Sequence, residues 1–186
     1  MQQRLNGSGG RTENSTRGLV IINTGKGKGK TTAALGLLLR AWGRDMRVAV
    51  LQFMKSSTAN YGEHRAARRM GIEILARGTG FAWQTRDTDR DRSLAGELWS
   101  LAREKIASGA YHMVILDELS YPVRYGWIPV DTVLEVLRNR PNWVHVVITG
   151  RDVPQELIDL ADVVTEMKEI KHPLHEGIKA QPGIEF

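Results

Sequence analysis

The residues that most restrict this chain are Gly25-Lys26-Gly27-Lys28-Gly29-Lys30-Thr31-Thr32, because of what stands on either side of them. Before them runs the β-branched stretch Leu19-Val20-Ile21-Ile22-Asn23. After them comes Ala33-Ala34-Leu35-Gly36-Leu37-Leu38-Leu39-Arg40, an amphipathic helix pattern. A strand, a glycine-rich turn and a helix in direct succession make a phosphate-binding loop. Glycines let backbone N–H groups turn toward one anion, and the helix adds the positive end of its dipole. In such a loop Lys30 reaches the phosphates as a point charge, and the Thr31 hydroxyl can ligate Mg²⁺. Gly25, Lys26, Gly27, Lys28, Gly29 and Thr32 complete the expected cradle, although side chains at Lys26 and Lys28 can equally point into solvent. The spacing is unusual. In the common pattern G-x-x-x-x-G-K-[ST], counting back from Gly29 puts Thr24 in first place, with the glycine one residue later at Gly25. The loop is therefore expected to be one residue tighter, or differently pitched, than in an ordinary nucleotide triphosphatase.

Charge supports the same reading. Residues 1–55 hold ten Lys/Arg against Glu13 and Asp45, a net of +8, and the rest of the chain carries −3. Positive charge thus gathers around the loop, as a site for ATP⁴⁻ favours. No arginine run or basic stripe interleaved with aromatics is present, which argues against nucleic acid. No apolar run approaches the ~20 residues of a bilayer span, and the first residues lack an apolar signal core. A cytoplasmic protein with no membrane partner is expected. With no cysteine, neither disulfides nor thiolate metal sites can form.

Residues 1–17 are polar, rich in Gly, Ser, Asn and Arg, and read as a flexible N-terminal tail before one domain over 18–186. Within that domain strands are expected at 19–23, 47–53, 72–75, 112–118, 144–150 and 163–167. Helices are expected from 33 to Gly43, then at 62–70, 93–108 and 130–139. The alternation predicts an α/β fold with a mostly parallel sheet of about six strands flanked by helices. The fourth strand ends in Asp117 and Glu118. In a doubly wound sheet the strand C-termini carry the chemistry, and an acid there can hold Mg²⁺ opposite the threonine of the loop. Arg65, Arg68 and Arg69 form a solvated helix face. Phe81 and Trp83 read, on their own, as aromatic anchors of a loop. His172 and His175 flank Pro173 near Glu176, but no third ligand is fixed, and they read as solvated loop histidines.

From Gly18 onward the chain resembles the P-loop family of ATP:corrinoid adenosyltransferases, the CobA/BtuR type. The matching stretches are residues 24–34, Gly78-Thr79-Gly80-Phe81-Ala82-Trp83, residues 114–121, 147–151 and 160–166, and the ending from Lys171-His172 through Phe186. The resemblance implies a P-loop NTPase-like domain. It implies a transferase that moves the 5′-deoxyadenosyl group of ATP to the Co(I) centre of cobalamin or a precursor and releases triphosphate. It implies ATP, Mg²⁺ (with Mn²⁺ as an alternative) and the corrinoid at one site, a homodimer, and an electron donor such as a reduced flavin or flavodoxin. By the same resemblance Lys30 serves catalysis, Phe81 and Trp83 pack below the corrin ring and exclude its lower axial ligand, and Thr31 and Glu118 ligate the metal. Asp117 is either a direct ligand or a partner of one. Read without the resemblance, two other functions stay open. One is an ATPase or small-molecule kinase in which Glu118 orients a water and Arg151 faces the γ-phosphate. The other is a nucleotide-switched binding module that contacts its partner through Arg65, Arg68 and Arg69.

Overall fold

The computed structural model describes residues 16–56, 61–80 and 88–186. Its strands are β1 (Val20–Thr24), β2 (Val48–Gln52), β3 (Glu73–Ala76), β4 (Met113–Asp117), β5 (His145–Thr149) and β6 (Val163–Glu166). They form one sheet in the order β3-β2-β4-β5-β1-β6, and every neighbouring pair is parallel. Parallel pairing needs a crossover between successive strands, and the helices supply it. These are α1 (Lys30–Trp42), α2 (Gly62–Met70), α3 (Thr88–Ala107), α4 (Ser120–Arg124), α5 (Val130–Arg138) and α6 (Gln155–Leu160), followed by a short 3₁₀ turn at Pro173–Glu176. The single α/β domain with six parallel strands is the expected fold.

A strand buried on both faces reads as a continuous apolar run, and β2 and β4 do. Side chains alternate between the two faces. Val114 and Leu116 of β4, with Val146 and Ile148 of β5, join Leu98, Ala102 and Ile106 of α3 and Val133 and Leu137 of α5 in the larger core. Met113 and Ile115 point the other way and pack with Ala34, Leu38 and Ala41 of α1. Those three fall at i, i+4 and i+7, one stripe of the helix. Gly43 caps its end.

Several boundaries differ from the sequence reading. Helix α3 begins at Thr88, five residues before the expected start, with Asp89 and Asp91 in its first turn. Carboxylates at a helix N-terminus interact favourably with the dipole, so the alternating charges there belong to the helix. Helices α4 and α6 are only five and six residues long, too short for a periodic signal. Arg17, assigned to the tail, pairs with the Asp162 carboxylate, whose Oδ2 also accepts the Val20 N–H at 2.9 Å. Strand β6 sits at the sheet edge with all four residues exposed. Among the described residues, no helix is long and apolar enough to cross a membrane.

Because all six strands run the same way, Thr24, Gln52, Asp117, Thr149 and Glu166 finish at one edge of the sheet. Strand β1 lies between β5 and β6, whereas β2 lies beyond β4, so the chain reverses its direction of winding around β1. Ligands of open α/β sheets bind at such a point, outside the carboxyl ends of the strands.

Candidate functional site

The loop occupies Gly25–Gly29, five residues between the end of β1 at Thr24 and the start of α1 at Lys30. Gly25 and Gly29 take φ of 93° and 106°, the turns that lead the chain out of the strand and into the helix. Gly27 is required for another reason. Its N–H donates to Met167 O at 2.7 Å, and a Cβ there would stand 2.7 Å from the Lys168 backbone. The loop is thus pressed onto the chain leaving β6. The first N–H groups of any helix lack an intrahelical acceptor, and no N-cap side chain meets those of α1.

Lys30 folds back into the loop and donates to Gly25 O at 2.7 Å and Gly27 O at 2.6 Å. Burial pushes its ammonium below the usual lysine range, and the nearby Arg151 guanidinium adds to this. Two cations brought together in a half-buried site favour an anion between them. Lys26, Lys28 and Thr32 are exposed, and Lys28 pairs with Glu185 of the C-terminal segment at 3.1 Å. A cleft of about 630 Å³ opens beside the loop toward β6, floored by Val153, Ile158 and Val164. Asp152, Glu166 and Glu169 also line it, whereas Lys30, Thr31, Asp117 and Glu118 do not.

Asp117 and Glu118, adjacent in sequence, occupy different chemical positions. Asp117 is buried at the end of β4. Its Oδ1 accepts the Thr31 hydroxyl at 2.8 Å and the Thr149 hydroxyl at 2.7 Å. Its Oδ2 accepts Gln52 Nε2 at 3.0 Å and lies 3.5 Å from Lys55 Nζ. Glu118 adopts a φ of 62° and donates its N–H to Thr149 Oγ1 at 2.9 Å. Its Oε2 is buried with no hydrogen-bond partner among the described residues. Burial, and then the Asp117 charge, push this carboxyl up to about 7, against the pull of Lys55, Lys30 and Arg151. A buried carboxylate oxygen without a donor is costly unless something cationic meets it. Since the single Thr31 proton is given to Asp117, the lone pairs of Thr31 Oγ1 stay available. A hard divalent cation takes oxygen donors of this kind, so Thr31 and Glu118 fit Mg²⁺.

Of the sequence-predicted residues, Gly25 to Thr32, Asp117 and Glu118 therefore assemble at one edge. Phe81 and Trp83 lie outside the described residues. His172 Nδ1 accepts the Leu174 N–H, and His175 Nε2 bonds to Glu169, so both are engaged within the C-terminal segment. Arg65, Arg68 and Arg69 are exposed on α2. Sequence reasoning passed over Gln52, Lys55 and Thr149. A signal existed: each is polar and stands at, or just beyond, the C-terminal end of a largely apolar parallel strand.

A family model described as ATP:corrinoid adenosyltransferase BtuR/CobO/CobP matches residues 16–186. A corrinoid adenosyltransferase from Sinorhizobium sp. is 42% identical over 94% of this chain and 83% of its own length. Another from Escherichia coli K12 is 41% identical over 91% of this chain and 86% of its own. The corrinoid adenosyltransferase CobA of Salmonella typhimurium LT2 is 40% identical with the same coverage.

Proposed function

The chain belongs to the ATP:corrinoid adenosyltransferase family, and from that premise we propose that it transfers the 5′-deoxyadenosyl group of ATP to the Co(I) centre of cobalamin or a cobalamin precursor, releasing triphosphate. The observation that carries this reading is the extent of the family match. Residues 16–186 take in the loop, the carboxylates at the end of β4 and the C-terminal segment packed on the loop.

In this reaction the Co(I) electron pair attacks C5′, a Co–C bond forms, and the C5′–O bond breaks with its electrons leaving on triphosphate. Cobalt goes from Co(I) to Co(III) in that step. The nucleophile is the metal of the substrate itself, so the protein needs no general base. What it must do is align C5′ and stabilise the charge on the departing triphosphate. Lys30, the uncapped amides of α1 and Arg151 suit that second task. Bound Mg²⁺, or Mn²⁺ in its place, would neutralise part of the triphosphate charge. Thr31 and Glu118 would hold it. Asp117 would act through Thr31, because both of its oxygens already accept protein donors. Phe81 and Trp83 are proposed to pack beneath the corrin and displace its lower ligand. Losing an axial donor removes electron density from cobalt and eases the Co(II) to Co(I) step. A reduced flavin or flavodoxin as donor, a homodimer and a cytoplasmic setting belong to the same proposal, on family likeness alone.

The test is anaerobic incubation of the protein with Mg-ATP and chemically reduced cob(I)alamin. A light-sensitive alkylcobalamin with stoichiometric triphosphate is expected. A carboxyl titrating near 7 also suits a base that orients water, as a phosphohydrolase requires. ADP and phosphate without a change in the corrinoid spectrum would favour that second reading and overturn the first.

A further inference from the structure

Lys55 stands three residues beyond the end of β2 with its ammonium almost wholly buried. Burial alone would lower its pKa, yet Asp117, Glu63 and Glu118 hold it above the usual lysine range. Its Nζ lies 2.8 Å from Glu63 Oε1 on the first turn of α2 and 3.5 Å from Asp117 Oδ2. The Tyr61 ring lies 5.2 Å away. A second link runs in parallel. His64 Nε2–H donates to Gln52 Oε1 at 2.6 Å, and Gln52 Nε2 donates to Asp117 Oδ2 at 3.0 Å. The first turn of α2 is therefore tied twice to one oxygen of Asp117. The other oxygen receives the Thr31 hydroxyl.

We propose that Lys55 is a positioning residue for the nucleotide-bound metal: anchored on Glu63, it holds the Asp117 carboxylate in the rotation that takes the Thr31 proton and leaves the Thr31 lone pairs for the cation. The proposal rests on the metal–nucleotide reading of Thr31 and Glu118 given above. A carboxylate fixed at Oδ2 presents Oδ1 in one place, and a threonine whose proton is committed can only accept. Outer-shell partners of metal ligands carry about 10- to 100-fold of metal affinity for this reason. The competing idea is purely electrostatic and has the opposite sign. Lys55 is a cation close to a divalent site, so if charge were all that mattered, removing it would tighten metal binding.

The experiment measures free Mn²⁺ by electron paramagnetic resonance in the presence of ATP and the full-length protein, with no corrinoid. Lys55→Met is expected to weaken ATP-dependent Mn²⁺ binding about tenfold. Lys105→Met serves as control. It breaks a comparable ion pair with Glu73, where Nζ and Oε2 are 2.8 Å apart, away from the loop. It should lower stability and leave Mn²⁺ binding unchanged. If Lys55→Met does not fold, Glu63→Gln, which loosens the anchor while keeping an acceptor, must weaken Mn²⁺ at least about threefold. Unchanged or tighter Mn²⁺ binding in the folded variant overturns the proposal. If the wild-type protein makes no adenosylcorrinoid, the reaction assignment fails, but the Mn²⁺ measurement still decides the role of Lys55.

Discussion

Glu118→Gln should make the nucleotide-free protein more stable while damaging its function, and the gain should depend on pH in a calculable way. The Glu118 carboxyl is raised from 4.5 to about 7 by burial and by Asp117. An acid whose folded-state pKa is raised costs the folded state nothing well below its unfolded value. The cost appears as pH climbs past 4.5 and is complete above 7. Each pH unit of displacement is worth about 1.36 kcal/mol. Integrating the two titrations gives a penalty of about 1.4 kcal/mol at pH 5.5 and about 3.4 kcal/mol at pH 8.5. Glutamine carries no charge at either pH. Its advantage over the wild type in urea melts with a chelator present should therefore widen by about 2 kcal/mol between pH 5.5 and 8.5. Titrating groups that do not interact with Glu118 cancel in the comparison. Adding Mg-ATP at pH 8.5 should stabilise the wild type and close much of the gap, and it should do far less for the variant. A gap that is the same at both pH values would refute the claim that Glu118 is a buried acid waiting for a cation.

Three further outcomes are expected. Phe81→Ala and Trp83→Ala should impair turnover from cob(II)alamin more than from pre-reduced cob(I)alamin, and equal losses in the two assays would remove their proposed role in easing reduction. Gly150→Ala should destabilise the protein by roughly 2 kcal/mol or more in urea melts, because φ is 148° and a Cβ there would drive into Ser120 Oγ, the hydroxyl that donates to Arg151 O at 2.8 Å; a neutral effect would contradict that packing. Burial alone would raise the Glu73 carboxyl, but hydrogen bonds from Lys105 and Tyr111 outweigh it, so it titrates below its ordinary value. Its stabilisation is present above the unfolded value near 4.5 and lost as pH falls through the lower folded value. Lys105→Met should accordingly lower stability at pH 7 and shrink the acid-induced loss, which a series of melts between pH 3 and 7 can read.

By itself the sequence determined the parts whose cause is local. Runs such as Met113 to Leu116 and Val146 to Ile148 are apolar without interruption, and only a strand buried on both faces needs that. The glycines of the loop, followed at once by an apolar helix, specified a phosphate cradle, because backbone freedom and helix dipole belong to the residues themselves. The two acids at the end of β4 could be placed at the functional edge for the same reason: direction along a parallel strand is legible from chain order. Their division of labour was not. Asp117 and Glu118 are neighbours of like charge and nearly like size. One accepts donors from α1, β2 and β5 on both oxygens, and the other keeps an orphaned oxygen and a carboxyl near 7. Those differences depend on Thr31, Gln52 and Thr149, residues that lie 86, 65 and 32 positions away in the chain. The place of Lys55 beyond β2 was legible, but its role was not, for the same cause. Its ammonium takes its meaning from a helix turn and a strand end that approach it only when the sheet forms, since hydrogen-bond direction and desolvation are properties of three-dimensional neighbours and have no period in sequence.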